Sequence, residues 1–234
     1  MDKLYMVIPA YNEQDTIREV IDEWYPMVVM TGADSRLVII DDGSKDATHE
    51  VLKSEAKSRP QLIVKHKENS GHGPTILAGY KYALEEGADY IFQTDSDGQT
   101  RPEEFPAFWR CRRHYDMIVG YRNHRQDGFS RVFVTKVLKA VIFMCFHCLV
   151  TDANTPFRLM KAETLKKEIH LVPRNYFLTN VLLTVIYTKH RRQLKFVPIT
   201  FRPRQGGVNS INMKRIFNIG KNALRDFVRL NRTI

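Results

Sequence analysis

The stretch Tyr90-Ile-Phe-Gln-Thr-Asp95-Ser96-Asp97-Gly98-Gln99 is an apolar, β-prone run that ends in two carboxylates one residue apart, with a glycine that lets the chain turn. Alternating carboxylates plus the Gln99 amide oxygen are hard oxygen donors, suited to Mg2+ or Mn2+ rather than zinc. Mg2+ held by one or two carboxylates takes its remaining ligands from water and substrate phosphates. The chemistry suggested is a metal–diphosphate site. Capping of a helix that starts near Pro102 would account for the same triplet, so its neighbours must decide.

Two more strands end the same way. Residues 4–9 form an apolar run that stops at Pro9 and leads through Ala10-Tyr11-Asn12-Glu13 into a helix over 15–25, which Pro26 ends or kinks. Residues 36–40 run into Asp41-Asp42-Gly43-Ser44 before a helix over 46–57. A third strand over 61–65, a turn at Asn69-Ser70-Gly71-His72-Gly73-Pro74 and a helix over 75–85 precede the strand 90–94. Strands alternating with helices at this spacing imply βαβ units and a mostly parallel sheet. Parallel strands put their carboxyl ends on one edge, where ligands bind in open α/β sheets. Tyr11, Glu13, Asp42, Asp95 and Asp97 should therefore converge there.

The second half reads as a helix over 102–113, a strand over 116–120, a basic segment Tyr121–Arg125 and a long helix over 129–150. Residues 140–150 carry no charge, but eleven residues fall short of the roughly 20 that a spanning helix needs. That run is a core helix or one lying in a membrane interface. A polar loop at 151–155, a strand over 157–160, a helix over 175–189 and a strand over 194–199 complete the domain. Beyond the loop 201–209, residues 212–230 form an amphipathic helix. Met213, Ile216, Phe217, Gly220, Leu224, Phe227 and Val228 make one face, and Lys214, Lys221, Arg225, Arg229 and Arg232 lie on another. The apolar stripe either packs on the domain or lies on a membrane.

Composition narrows the classes. With 43% apolar and 26% charged residues among 234, the chain reads as one globular domain with a short appendage. The leading apolar run is too short for a signal peptide, so the cytosol is expected. Three cysteines argue against a disulfide framework, and Cys145-Phe-His-Cys148 lacks a second ligand pair, so packed thiols are expected. The net charge of +10 is local: residues 201–234 hold eight Lys/Arg against Asp226 alone. Phosphate-bearing substrates, an anionic membrane or nucleic acid would each suit it. The tail lacks aromatics interleaved within a basic stripe, so nucleic acid is not expected.

Val7-Ile-Pro9-Ala10-Tyr11-Asn12-Glu13, Val38-Ile-Ile-Asp41-Asp42-Gly43-Ser44 and Thr94-Asp95-Ser96-Asp97-Gly98-Gln99, in that order, resemble family 2 glycosyltransferases. Arg101-Pro102-Glu103-Glu104, Val119-Gly120-Tyr121-Arg122, Asp152 ahead of Phe157-Arg158-Leu159, and Pro198-Ile199 leading to Arg204 resemble the branch that charges polyprenyl or dolichyl phosphates. The resemblance implies the nucleotide-diphospho-sugar transferase (A-type) fold, a mostly parallel sheet flanked by helices, here with a C-terminal amphipathic helix. It also implies an inverting, metal-dependent transfer from a nucleotide-sugar, with residues 1–100 as the nucleotide half and 101–210 as the acceptor half; the resemblance fades after about Asn212, and 211–234 is the basic helix read from its own pattern.

Carried onto this chain, the family pattern has Pro9, Ala10, Tyr11 and the Ile40 backbone lining the base pocket, Glu13 on the ribose hydroxyls and Asp42 reading the base. Asp95 and Ser96 lie by the ribose. Asp97 and Gln99, with Asp95, hold Mg2+ or Mn2+. Arg122 and Arg204 hold phosphate oxygens, and Arg131 an acceptor phosphate. A lipid phosphate acceptor is already an anionic nucleophile; a glycan hydroxyl acceptor would need a base, for which Asp152 is the candidate. Bracing the loop before Phe157 is the other role open to Asp152. Thr155-Pro156 and Ser210 depart from the polyprenyl-type pattern, at positions that concern the acceptor more than the donor. The implied location is peripheral, on the cytoplasmic face of a membrane.

Overall fold

A computed structural model describes residues 2–122, 129–202, 224–231 and 234, with the backbone alone for 129–135. Its centre is a seven-stranded sheet in the order β3-β2-β1-β4-β6-β5-β7. The strands are β1 (Leu4–Ala10), β2 (Arg36–Asp41), β3 (Leu62–His66), β4 (Tyr90–Gln93), β5 (Met117–Arg122), β6 (Arg158–Lys161) and β7 (Leu194–Ile199). β6 runs antiparallel to β4 and β5, and every other pairing is parallel. The carboxyl ends of β1, β2, β3, β4, β5 and β7 thus share one edge, joined there by the start of β6.

Every residue of β1 is buried, as expected of a parallel strand covered on both faces. Alternation along the strands divides the core. Met6, Ile8, Leu37, Ile39 and Phe92 face α1 (Ile17–Thr31), α2 (Thr48–Ala56) and α4 (Phe105–Cys111), where Trp24, Leu52 and Phe108 pack. Val7, Val38, Ile40, Ile91 and Val119 face the other layer, made by α3 (His72–Glu85), α5 (Phe129–Phe146), α6 (Ala162–Glu168) and α7 (Thr179–Lys189). At Gly79 on α3 a Cβ would come within 2.3 Å of Val7 Cγ1, so a side chain there would push that layer off the sheet.

Several elements depart from the expectations. α1 runs through Pro26 to Thr31, because its buried stripe continues past the proline to Val28 and Thr31. The helix expected over 102–113 is a short α4 between two 3-10 turns, and α5 ends at Phe146, with His147 in the left-handed region at φ 54°. α6 was not expected: its Ala162, Thr164, Leu165 and Glu168 are buried within a segment too short and polar to signal a helix. Of the C-terminal helix, residues 224–230 are helical (α8), and the rest of 212–230 lies outside the described residues. Phe227 is fully buried against Phe146, with ring centroids 5.2 Å apart, while Leu224 and Val228 are exposed. Cys145 and Cys148 are buried free thiols whose pKa values burial pushes up, consistent with packing rather than redox or metal chemistry. Among the described residues no helix is long and apolar enough to cross a membrane.

Candidate active site

The loops after β1 and β2 are locked together by polar side chains. Asn12, at φ 54°, donates its N–H to Ser44 Oγ (3.0 Å), and its Oδ1 accepts from the Lys45 N–H (2.8 Å). Glu13 donates its N–H to Thr48 Oγ1 (2.8 Å) and accepts at Oε2 from Thr16 Oγ1 (2.9 Å). Pro9, Ala10 and Ile40 are buried at the strand ends, while the Tyr11 ring just beyond them is 42% exposed. These expected base-pocket residues therefore share one edge, with Tyr11 open to a ligand.

Asp42 is buried directly after β2, and the loop after β3 wraps it. Oδ1 accepts from the Lys67 ammonium and from the Ser70 N–H (3.0 Å), Oδ2 from the Gly71 N–H (2.9 Å), and Asn69 Nδ2 donates to its carbonyl (2.9 Å). Burial alone would raise its pKa, but Lys67 and the Ser70 amide outweigh it and hold the carboxyl below its ordinary value. Gly43 is required at the turn: its φ is +68°, and a Cβ would sit 2.8 Å from the Asn69 nitrogen.

The loop after β4 carries the two acids. Neither caps the helical turn at Pro102, where no side chain caps the first N–H groups. Asp97 Oδ1 instead accepts from the Gln99 N–H (3.1 Å), and Asp95 Oδ1 lies 3.6 Å from His72 Nε2 with its side chain 26% exposed. Burial raises the Asp95 pKa and the Asp97 charge adds to it, while His72, the Gln93 amide and Arg122 oppose it. Ser96 is buried, and its carbonyl is 3.5 Å from Thr16 Oγ1, which ties this loop to the Glu13 loop. On its other side, Arg202 donates its N–H to the Gln99 carbonyl (2.8 Å), while Gln99 Nε2 donates to the Arg202 carbonyl (3.3 Å). The oxygen donors of Asp95, Asp97 and Gln99 suit a hard divalent ion, and such an ion would neutralise the repulsion between the two acids.

Arg122 ends β5 with its guanidinium 3.8 Å from the centroid of the Phe201 ring. Asp152 is buried in the loop ahead of β6 and accepts from the Asn154 N–H (3.3 Å). That loop is braced by Arg158, fully buried at the start of β6, which donates to the carbonyls of Ala153 (3.1 Å), Thr155 (2.7 Å) and Asn180 (3.0 Å). Arg204 lies outside the described residues, as does the side chain of Arg131 on α5.

Lys67, His72, Thr16 and Arg158 have roles here that residue-by-residue reading missed. Lys67 and His72 flank the turn Asn69-Ser70-Gly71, and a polar turn after a strand facing a sheet's acidic edge was the signal available. Nothing in the sequence marks Arg158 as buried, since its acceptors are main-chain carbonyls.

Comparison with known proteins identifies the family of the chain. The model of the glycosyl transferase family 2 matches residues 5–175. Over 218 residues the chain is 25% identical to the undecaprenyl-phosphate 4-deoxy-4-formamido-L-arabinose transferase of Edwardsiella ictaluri (strain 93-146), a match covering 92% of this chain and 64% of that protein's length. Glucosyl-3-phosphoglycerate synthase from Mycobacterium tuberculosis, solved with Mn2+, uridine-diphosphate and phosphoglyceric acid, superposes with a TM-score of 0.70 at 17% identity, over 98% of this chain and 78% of that one. The same enzyme with Mn2+ and uridine-diphosphate-glucose gives 0.68 at 17% identity, over 98% and 79%. The fold is shared with that enzyme, the chain spans just under two thirds of the length of the curated relative, and the family match extends from β1 to beyond β6: the chain belongs to the glycosyl transferase family 2.

Proposed function

We propose that this glycosyltransferase moves a sugar, with inversion, from a nucleotide-sugar to a polyprenyl phosphate at a membrane surface. The observation that carries the donor half is the meeting of three acidic strand ends on one sheet edge, cross-tied by Asn12–Ser44, Glu13–Thr48 and Thr16–Ser96. In this reading Tyr11 and the buried Pro9, Ala10 and Ile40 frame the base, Glu13 takes the ribose hydroxyls, and Asp42, held by Lys67, contributes to base recognition. Asp95, Asp97 and Gln99 would hold Mn2+ or Mg2+, which when bound supplies positive charge to the departing diphosphate. The Mycobacterium tuberculosis enzyme was solved with Mn2+ and a uridine nucleotide, which favours Mn2+ here.

Arg122 and Arg204 would gather phosphate oxygens, and Arg131 those of the acceptor. The acceptor oxygen attacks the anomeric carbon from the face opposite the diphosphate, the C–O bond to the diphosphate breaks, and that group leaves as an anion. A lipid phosphate needs no base for this. The relative named for undecaprenyl phosphate supports that acceptor. Transfer to a glycan hydroxyl is the second reading, favoured by the buried Asp152, which would serve as its base.

The membrane location draws support from α5. Val137, Phe143, Met144 and Leu149 are exposed on and just after it, 62% for Met144 and 81% for Leu149, beside exposed Lys136 and Lys139. The segment 129–151 has no acidic residue. Exposed apolar side chains flanked by cations suit an anionic lipid surface.

The test is to supply labelled nucleotide-sugars with a short polyprenyl phosphate, then with candidate glycans. Labelled lipid, dependent on Mn2+ or Mg2+, is expected. Labelled glycan with untouched lipid would overturn the lipid reading.

A further inference from the structure

At the ends of β2 and β3, next to the nucleotide pocket, three side chains of metal-ligating type meet. Asp41, fully buried, ends β2; His66 ends β3 and is its register partner; His49 is the second residue of α2. Nδ1 of His66 lies 2.8 Å, and Nδ1 of His49 3.1 Å, from the same oxygen, Asp41 Oδ2, and the three ligand atoms lie within 4.8 Å of one another. The other carboxylate oxygen is taken by the Ser44 N–H at 3.0 Å, which turns Oδ2 to the imidazoles.

Hydrogen bonding accounts for only part of this arrangement. His66 is well placed to bond Asp41, yet His49 Nδ1 is buried and has no hydrogen bond of acceptable geometry despite its short distance. A buried ring nitrogen close to a carboxylate oxygen and a second imidazole, yet without a hydrogen bond, has the character of a ligand atom. The two rings are 4.5 Å apart and tilted 50°, so their nitrogens approach the oxygen from different directions. Two imidazole nitrogens with one carboxylate oxygen match zinc and neighbouring transition metals, not the hard ion that suits the all-oxygen loop after β4.

We propose that Asp41, His49 and His66 form a second metal site, of zinc type, separate from the oxygen-donor loop at Asp95–Gln99. Three protein ligands leave the fourth position to water. The half-exposed His66 ring gives the ion its way in. An ion there ties together the ends of β2 and β3 and the start of α2, directly beside Asp42 and Lys67. Its role is to fix the base pocket rather than to take part in transfer.

The experiment titrates metal-stripped full-length protein with Co2+, read by visible absorption, then displaces it with Zn2+; wild type, Asp97→Ala, His66→Gln and His49→Gln are compared. Wild type and Asp97→Ala should each hold one Co2+ that gives the d–d band of nitrogen-ligated cobalt, lost on adding Zn2+, whatever further Co2+ the oxygen-donor loop of wild type takes up. Each histidine variant should bind Co2+ more weakly by at least the roughly 10–100-fold that removal of an outer-shell partner costs. Zn2+ should raise the melting temperature of wild type and Asp97→Ala but of neither histidine variant. No Co2+ or Zn2+ uptake by wild type, or uptake unchanged in His66→Gln, overturns the proposal. The exposed His66 makes that variant the safe one for folding, checked by circular dichroism of the metal-free proteins.

Discussion

Asp42 is charged although buried, and the reason lies in its donors: an ammonium and two amide N–H groups from the loop after β3. Its pKa is depressed on folding, so its contribution to stability is present above the unfolded value near 3.8 and lost as pH falls through the lower folded value. Lys67→Met removes the strongest donor. The expected cost is about 1.5–3 kcal/mol at pH 7, the range for hydrogen bonds to charged groups. The gap between variant and wild type should close as the pH is taken below about 4, followed by urea unfolding across pH. A gap that stays constant with pH would show that Lys67 acts through packing alone. Asp97 offers the opposite case, a partly exposed acid whose loop bond is to one amide, Gln99. Asp97→Ala should leave the melting temperature nearly unchanged and lower sugar transfer by about 100-fold or more, the scale for losing one preorganised charge-stabilising group.

Among the elements, β6 has an unusual burden: among the described residues it is the one antiparallel strand of the sheet, and its first residue is a fully buried arginine. Arg158→Met would take from the Thr155 carbonyl the donor that holds it, at about 1–3 kcal/mol for a buried group left without a partner, while the carbonyls of Ala153 and Asn180 keep the Thr184 hydroxyl (3.2 and 2.9 Å). A loss of about 1–3 kcal/mol is expected in chemical denaturation, with a lower kcat because the Asp152 loop loosens. Arg158→Lys should recover little, since one ammonium cannot span the fork. The same segment marks what sequence can and cannot tell. β1, β2 and β4 were legible because they are buried runs ending in acids, and α3 because Gly-Pro opens it. α6 was not, having only seven residues and so no full apolar period, and its helicity comes from burying Leu165 and Ala162. Pro26 left a stop or a kink open, and the helix continues because tertiary burial of Val28 outweighs the missing N–H. In the site, Asp42 and Asp95 were legible as acids on strand ends. Lys67 and His72 were not, because their partners lie 25 and 23 positions away in the chain and only the sheet order brings them together.

At the scale of the whole molecule, the exposed surface of α5 and the C-terminal helix act as one body through Phe146 and Phe227. Lys189 strengthens the join, its ammonium donating to Asn231 Oδ1 (2.8 Å) and to the Ile234 carbonyl (2.7 Å). Phe227 is thus a core residue, and Phe227→Ala should cost about 3–5 kcal/mol in global unfolding, as for other buried Phe truncations. A lipid-facing Phe227 would give no such loss. The outer face is different: Phe143 is 49% exposed, and Leu224 and Val228 are exposed on α8 beside Arg225 and Arg229. Apolar insertion at about 1.5–3 kcal/mol per fully buried side chain and about 1 kcal/mol per cation near an anionic leaflet are comparable terms, and salt separates them. Phe143→Asp with Met144→Asp should lower binding to phosphatidylserine vesicles by about 10-fold or more at physiological salt, without changing the melting temperature, because both side chains already face solvent. Raising the salt to 1 M shortens the screening length from about 8 to 3 Å, and should weaken wild-type binding while leaving a residual apolar component that the double variant lacks. Equal partitioning of wild type and variant at both salts would assign this face to something other than lipid.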